Sequence, residues 1–471
     1  MSTDRKTDVA IIGAGSAGLY AMPRVRKSTK GNFVLINSGP YGTTCARVGC
    51  MPSKVLIQVA EDFHRRELFD RMGIRGGESL TVDIPAALQH VRKLRDYFVD
   101  ATVANSTDRM SEKNLITGHA SFIEPNVLSV NGQTIRANKV IIATGSTPVI
   151  PKEWAPIRDL ILTTDTLFEQ QDLPSSMAVI GLGVIGLEMG QTLSRLGIDI
   201  TGLDMLETIG GLQDPAVNKS AVHIMKSEFP LWLGQPAEVD KENGKLRVRS
   251  GNQSVLVDKV LASLGRKPNV DGLGLENLGV KLDKRGIPEY DPATLQIGDF
   301  PIFIAGDVNS ERPVLHEAAD QGRIAGFNAA HDAIQAFRRK VFFAITFSDP
   351  NIVAIGARWN ELKDDPNVVI GESNFASQGR SRIIGKNKGI LRLYAAKDSG
   401  RLLGAEMIIP KGENIGHTLA WSIQQGLTVF DLLKMPFYHP VVEEGIPTAL
   451  HHLRRQLDVD SGQAILELAT L

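Results

Sequence analysis

Only two cysteines occur in 471 residues, Cys45 and Cys50. A disulfide closing so short a loop would remove little entropy from the unfolded chain. A chain of this length can also bury a core that needs no staple. A zinc centre would want two more soft ligands at characteristic spacing, and no third cysteine exists to supply them, so no metal site is expected. An excess of charge of one sign is missing too. With 52 basic and 53 acidic side chains, the net charge of −1 gives no electrostatic case for nucleic acid or an anionic membrane. No apolar run approaches membrane-spanning length. The opening MSTDRKTDVAIIGAGSAGLYA could pass for a secretion signal, but Gly13, Gly15 and Gly18 break its apolar stretch. With no targeting segment and no disulfide framework, the expected compartment is a reducing cytoplasm. Short repeats and low-complexity tracts are also missing.

What is present begins with the cysteines themselves, in YGTTCARVGCMPSK at residues 41–54. A redox couple is the leading reading, and two ordinary buried thiols are its competitor. Thiols react as thiolates, which a helix N-terminus or a nearby cation favours. Pro52 suits a first helical turn, and Lys54 supplies the cation.

Two glycine turns frame this segment. The run DVAIIGAGSAGLYA, a basic helical stretch and FVLIN read as strand, turn, helix, strand, with Gly13, Gly15 and Gly18 in the turn. Such a turn lets backbone approach a pyrophosphate at the start of a helix. An acidic residue is expected at the end of the second strand to hold a ribose; here Asn37 stands there. Pro23 falls inside the expected helix and should kink it. A second copy, SMAVIGLGVIGLEMGQTLSRLGIDITGLDM, has Gly181, Gly183 and Gly186 and closes on Asp204. Asp204 can hold both ribose hydroxyls and would repel a 2′-phosphate, and the following MLETIGGL has no arginine to welcome one. NAD is therefore favoured over NADP. Two nucleotide sites and one dithiol suggest an electron path. A flavin can exchange electrons with both thiols and nicotinamide, so FAD is assigned to the first cradle, beside the cysteines, and NAD to the second.

With these motifs in view, the chain resembles the class I pyridine nucleotide–disulfide oxidoreductases almost end to end. Gly42 through Lys54 match that family's redox segment, with Thr43 where its second glycine stands. Ala143, Thr144 and Gly145 match its ATG strand end, IFIAGDV its second flavin motif, and His439, Pro440 and Glu444 its C-terminal motif. The resemblance implies an α/β fold with two Rossmann-like dinucleotide-binding domains, for FAD and NAD, and a C-terminal α+β interface domain that dimerises. It implies that Cys45 exchanges with the substrate and Cys50 faces the flavin as a thiolate, with Lys54 paired to Glu188 nearby. His439, oriented by Glu444, would be the acid–base that serves Cys45, a task suited to a side chain titrating near neutrality. FAD contacts are implied for Thr44, Lys54, Gly118, Thr144, Gly145, Asp307, Leu315 and His316, and an NAD contact for Gly265.

The same reading divides the chain into residues 1–150 (first FAD part, with the redox pair), 151–270 (NAD), 271–345 (second FAD part) and 346–471 (interface). Within the family the likeness is strongest to dihydrolipoamide dehydrogenases. No cysteine follows Cys50, no basic residues follow the second cradle, and VLHEAADQG resembles the lipoamide enzymes' stretch. The implied substrate is a dihydrolipoamide or lipoyl-domain dithiol, with a homodimer as the working unit and a 2-oxoacid dehydrogenase-type complex as a candidate partner. Asn37, Thr43 and Tyr438 depart from the family pattern. The alternatives are a glutathione-reductase-like enzyme for another small disulfide and a redox-sensing flavoprotein without lipoamide turnover.

Overall fold

The computed structural model describes residues 4–459 and 467–468. Its first sheet grows from the stretch DVAII. Ala10 and Ile12 point into one apolar core, Val9 and Ile11 into another on the opposite face. A strand buried on both faces reads as a continuous apolar run, and such strands belong in the middle of parallel sheets. Accordingly Asp4–Ile12 lies between Phe33–Asn37 and Gln133–Ile142, parallel to both. Leu115–Thr117 extends the sheet beyond Phe33–Asn37, and two antiparallel strands, Val127–Val130 and Ala120–Glu124, extend it the other way. Ile302–Ile304 returns from far along the chain to pair in parallel with Gln133–Ile142.

The second sheet repeats this logic. Met177 and Val179 face one core, Ala178 and Ile180 another. Their strand, Ser176–Ile180, is flanked in parallel by Asp199–Asp204 and Lys259–Ala262, with Leu231–Leu233 and Ile161–Leu162 at the edges. Two crossing segments, Ser146–Pro148 and Arg266–Pro268, pair antiparallel where the chain leaves the first sheet and where it comes back from the second. A third sheet of five antiparallel strands spans Phe343 to Ile409 and packs against the helices Gly412–Gln424 and Gly445–Arg454. Among the described residues no helix is long and apolar enough to cross a membrane.

In each of the first two sheets a glycine turn leads from the central strand into a helix, Ser16–Ser28 or Val184–Arg195. The first of these runs through Pro23 as one element. Proline removes the donor to the carbonyl of Leu19, but position 23 is exposed, so the helix continues despite the lost bond.

Candidate functional site

The dithiol segment begins with strain. Thr43 has φ 63° and ψ 151°, a region essentially restricted to glycine. Its hydroxyl accepts from the amide of Ala46 at 3.3 Å and caps the short helix Thr44–Val48, which carries Cys45. After Gly49 a second helix, Cys50–His64, begins on Cys50 itself, with Pro52 in its first turn. Cys50 therefore sits at the positive end of a four-turn helix, where a thiolate is favoured.

Both sulfurs are free thiols and open into a cavity of about 640 Å³. They are not equivalent. The hydrogen bond from Cys45, with Lys54's ammonium adding to it, lowers the Cys50 thiol to about 7. That same bond, with burial, pushes Cys45 up. Lys54 Nζ lies 2.7 Å from Glu188 Oε2, and the backbone N–H of Phe347 donates to Oε1 at 2.9 Å. The Glu188 side chain is only 4% exposed, and the ammonium and the amide supply both of its oxygens with partners inside the fold. The Phe347 ring also lies 4.6 Å from the Lys54 ammonium.

The cavity's far wall comes from the first sheet and its returning strand. Gly15, Thr44 and Gly145 line it, as do Asp307 and the helix start at Leu315 and His316. Burial lowers the His316 pKa. Two residues that sequence reading did not single out complete this wall. The Ser146 hydroxyl donates to Asp307 Oδ2 at 3.0 Å, and Arg266 donates to the Ser146 hydroxyl at 2.8 Å and to its carbonyl at 2.6 Å. Arg266 lies in the stretch GRKPN at residues 265–269, which carries no local signal of this contact. His417 also lines the cavity, and nothing in the sequence marks it out.

Both glycine turns have the shape of phosphate cradles. A Cβ on Gly13 would stand 2.3 Å from the carbonyl of Ala143, and one on Gly18 would stand 2.0 Å from that of Gly13. The second turn matches, with Gly181 against the Ser263 carbonyl at 2.4 Å and Gly186 against that of Gly181 at 1.8 Å. The middle glycines differ. Gly183 has nothing within 4 Å and Gly15 only one atom, at 3.9 Å, so this side of each turn is open to a pyrophosphate. Asn37 and Asp204 occupy corresponding places. Asn37 Oδ1 accepts from Ala14 N at 3.1 Å, and Asp204 Oδ2 from Leu182 N at 2.6 Å. Asn37 then ties its amide to the Gly39 carbonyl at 2.6 Å, while the other Asp204 oxygen accepts from Leu206 N at 2.9 Å. The residues present thus fit a dinucleotide at each turn.

Other residues lie outside the cavity. Thr144 donates its hydroxyl to the Asn269 carbonyl at 2.7 Å. Gly118 lies just past the strand end, its amide bonded to the Asn37 carbonyl at 3.0 Å, and Gly265 (φ 89°) shapes the turn before Arg266. His439 and Glu444 meet each other, Nδ1 to Oε1 at 2.8 Å, and this bond lowers the Glu444 pKa. They do not meet Cys45, since neither lines the cavity of its own chain, and the His439 side chain is 81% exposed.

Two dinucleotide folds with a dithiol and a lysine–carboxylate pair in the cavity between them define a nicotinamide-linked dithiol–disulfide oxidoreductase. Residues 7–322 match the pyridine nucleotide–disulphide oxidoreductase family and residues 342–450 its dimerisation domain. The chain belongs to that family, as a divergent class I member, and FAD and NAD are its cofactors. A dihydrolipoyl dehydrogenase of Thermus scotoductus is 29% identical over 95% of this chain and 98% of its own length. A mercuric reductase of Staphylococcus aureus is 27% identical over 95% of this chain and 82% of its own. Among solved structures, LpdA from Mycobacterium tuberculosis superposes with a TM-score of 0.82 at 21% identity, over 95% of this chain and 99% of its own. The HOCl-induced flavoprotein disulfide reductase RclA from Escherichia coli superposes in its copper(II) complex with a TM-score of 0.81 at 22% identity, over the same shares.

Proposed function

We propose that the chain is an NAD-dependent dihydrolipoyl dehydrogenase-type enzyme, oxidising a lipoyl dithiol through the Cys45–Cys50 pair. The observation that carries this reading is the asymmetry of the two sulfurs in one cavity, Cys50 poised as thiolate and Cys45 held as thiol. In the oxidised pair, a substrate thiolate attacks Cys45, the Cys45–Cys50 bond breaks, and Cys50 leaves as the thiolate that Lys54 and its helix N-terminus stabilise. The substrate's second thiol then displaces Cys45 from the mixed disulfide. The substrate departs as a disulfide, and the enzyme keeps two electrons as a dithiol. A base must take a proton from the substrate thiols and return one to Cys45. As the family resemblance implies, His439 of the partner subunit fills that role, oriented by its Glu444; in keeping with this, the pair is formed but stands outside its own chain's cavity. The dimerisation segment supports a homodimer in which each site draws on both chains. FAD, when bound in the first cradle, supplies the two-electron exchange between dithiol and nicotinamide. The first sheet with its returning strand forms the FAD domain, the second sheet the NAD domain, and the third sheet the interface domain.

A second reading has its own support. The mercuric reductase and RclA likenesses, together with Asn37, Thr43 and Tyr438, suit reduction of a different small disulfide. Steady-state assays on the flavin-loaded protein separate the two. Lipoamide, glutathione disulfide and coenzyme A disulfide are each offered with NADH and NADPH, and dihydrolipoamide is offered with NAD. Turnover of the lipoamide couple with NAD(H), exceeding the others in kcat/KM, is expected. A preference for another disulfide would replace the lipoyl assignment, and no turnover of any would favour a redox-sensing role.

A further inference from the structure

The helices Ser16–Ser28 and Leu315–Ala330 cross at very short range. A Cβ at Gly322 would stand 2.2 Å from the Ala17 carbonyl, and one at Gly326 would stand 2.6 Å from that of Ala21. Beside this crossing, where residues 337–340 pass back over both helices, lies a groove of about 510 Å³. None of its lining residues lines the dithiol cavity. Five cations line it, Arg24, Arg323, Arg338, Arg339 and Lys340, against one carboxylate, Asp320.

Three of the cations are committed. Arg323 and Lys340 pair with Asp320 at 2.7 and 2.8 Å, and Arg339 pairs with Glu317 and, at 3.2 Å, with Glu311. Arg312 also pairs with Glu317, at 2.9 Å, so the three carboxylates are already shared among four cations. The Arg24 and Arg338 side chains have no hydrogen bond, ion pair or ring contact among the described residues, so the groove carries an excess of at least two positive charges. Arg339 Nε is moreover buried without an acceptor. The remaining wall is largely aromatic. Phe327 and Phe337 meet edge to face at 5.2 Å, Tyr20 lies beneath the Arg323 guanidinium at 4.6 Å, and Pro23, which the proposed chemistry leaves unused, lies alongside.

We propose that this groove binds a small organic dianion with a flat body, of the aryl or nucleoside phosphate class. A phosphate monoester carries about −1.5 to −2 charges at neutral pH, matching the two uncommitted arginines. Guanidinium forks suit phosphate oxygens, and the aromatic wall suits a planar ring. The groove's size falls within the range of small-molecule sites, about 300–1,000 Å³.

Phenyl phosphate is the simplest probe, because it lacks the adenosine that both cradles would recognise. Its binding is measured by saturation-transfer NMR on the FAD-loaded protein with NAD present in excess. Phenol, read directly, and inorganic phosphate, read by its displacement of phenyl phosphate, serve as the two halves of the probe. Phenyl phosphate is expected to bind at least about tenfold more tightly than either. The double variant Arg24→Gln/Arg338→Gln, both positions being exposed, is expected to keep its melting temperature and nicotinamide-linked turnover while binding at least about tenfold more weakly. The proposal is overturned if the wild-type protein shows no saturation transfer, if the folded double variant binds equally well, or if either half-probe binds as tightly as the whole.

Discussion

The lowered Cys50 pKa has a named cause, and the cause can be removed. The largest contribution is the hydrogen bond from Cys45, followed among the lowering causes by Lys54, while burial works the other way. Replacing Cys45 with alanine deletes the donor and leaves the burial penalty in place, so the Cys50 pKa must rise from about 7 toward the ordinary thiol value near 9. Access of solvent from the cavity screens part of any such change, so a rise of one to two pH units is the expected range. At pH 7 about half of the Cys50 population is thiolate in the intact dithiol; after the rise this falls to about a tenth or about a hundredth. Alkylation slows less than that, because a more basic thiolate is more nucleophilic, with a Brønsted slope of about 0.4–0.5. The net loss in rate at pH 7 is about two- to eightfold, while the midpoint of the pH–rate profile moves by the full one to two units. With only two cysteines in the chain, the Cys45→Ala protein has a single thiol, so iodoacetamide kinetics report Cys50 alone. Peptide mapping assigns the label to Cys50 in the reduced parent. Serine at position 45 keeps an O–H donor and should leave the midpoint closer to 7. If the alanine variant's midpoint stays at that of the parent, the thiol–thiolate bond is not what poises Cys50. A shift in Lys54→Met alone would then assign the effect to the ammonium.

Asp204 should give NADH a preference over NADPH well above about tenfold in kcat/KM, since a 2′-phosphate would meet its carboxylate; equal use of the two would remove that argument. Co-expression of Cys45→Ser with His439→Gln chains, each nearly inactive as a homodimer, should restore about a quarter of the wild-type sites through mixed dimers. Verified mixed dimers without activity would mean that His439 acts within its own chain. Thr43→Gly should raise the melting temperature. The strain relieved at φ 63° is about 1–3 kcal/mol, which outweighs a lost cap of a few tenths and a glycine entropy cost of about 0.4–1 kcal/mol. An unchanged or lower melting temperature would show that the local backbone absorbs the threonine without cost.

Contacts between residues close in sequence were the easiest to read. His439 and Glu444, five residues apart across a proline, meet at 2.8 Å, and Cys50 opens a helix with Pro52 in its first turn, because local spacing already limits the geometry. The two cradles were readable for a related reason. Steric demand at Gly13 and Gly18, or Gly181 and Gly186, excludes any side chain, so glycine itself records the backbone's path. Lys54 and Glu188, 134 residues apart, are a different case, since neither periodicity nor spacing joins them and only the family resemblance did.

What could not be read depends on tertiary placement with no local demand. Phe347 holds Glu188 through its backbone N–H, a contact that any residue except proline could make, so its side chain leaves no trace of it in the sequence. The Asp307–Ser146–Arg266 chain needs three segments that come together only when Ile302–Ile304 pairs with Gln133–Ile142 and Arg266–Pro268 crosses Ser146–Pro148. The Asn37 departure shows the same limit from the other side. An acidic residue is expected at that position, and asparagine stands there. In the fold it is fixed at both ends, by Ala14 N and the Gly39 carbonyl, while Asp204 is held by Leu182 N and Leu206 N. Each side chain therefore braces its own cradle through the same backbone amide. An amide oxygen accepts that bond at the first cradle as a carboxylate oxygen does at the second. The negative charge that would discriminate against a 2′-phosphate is needed only at the second.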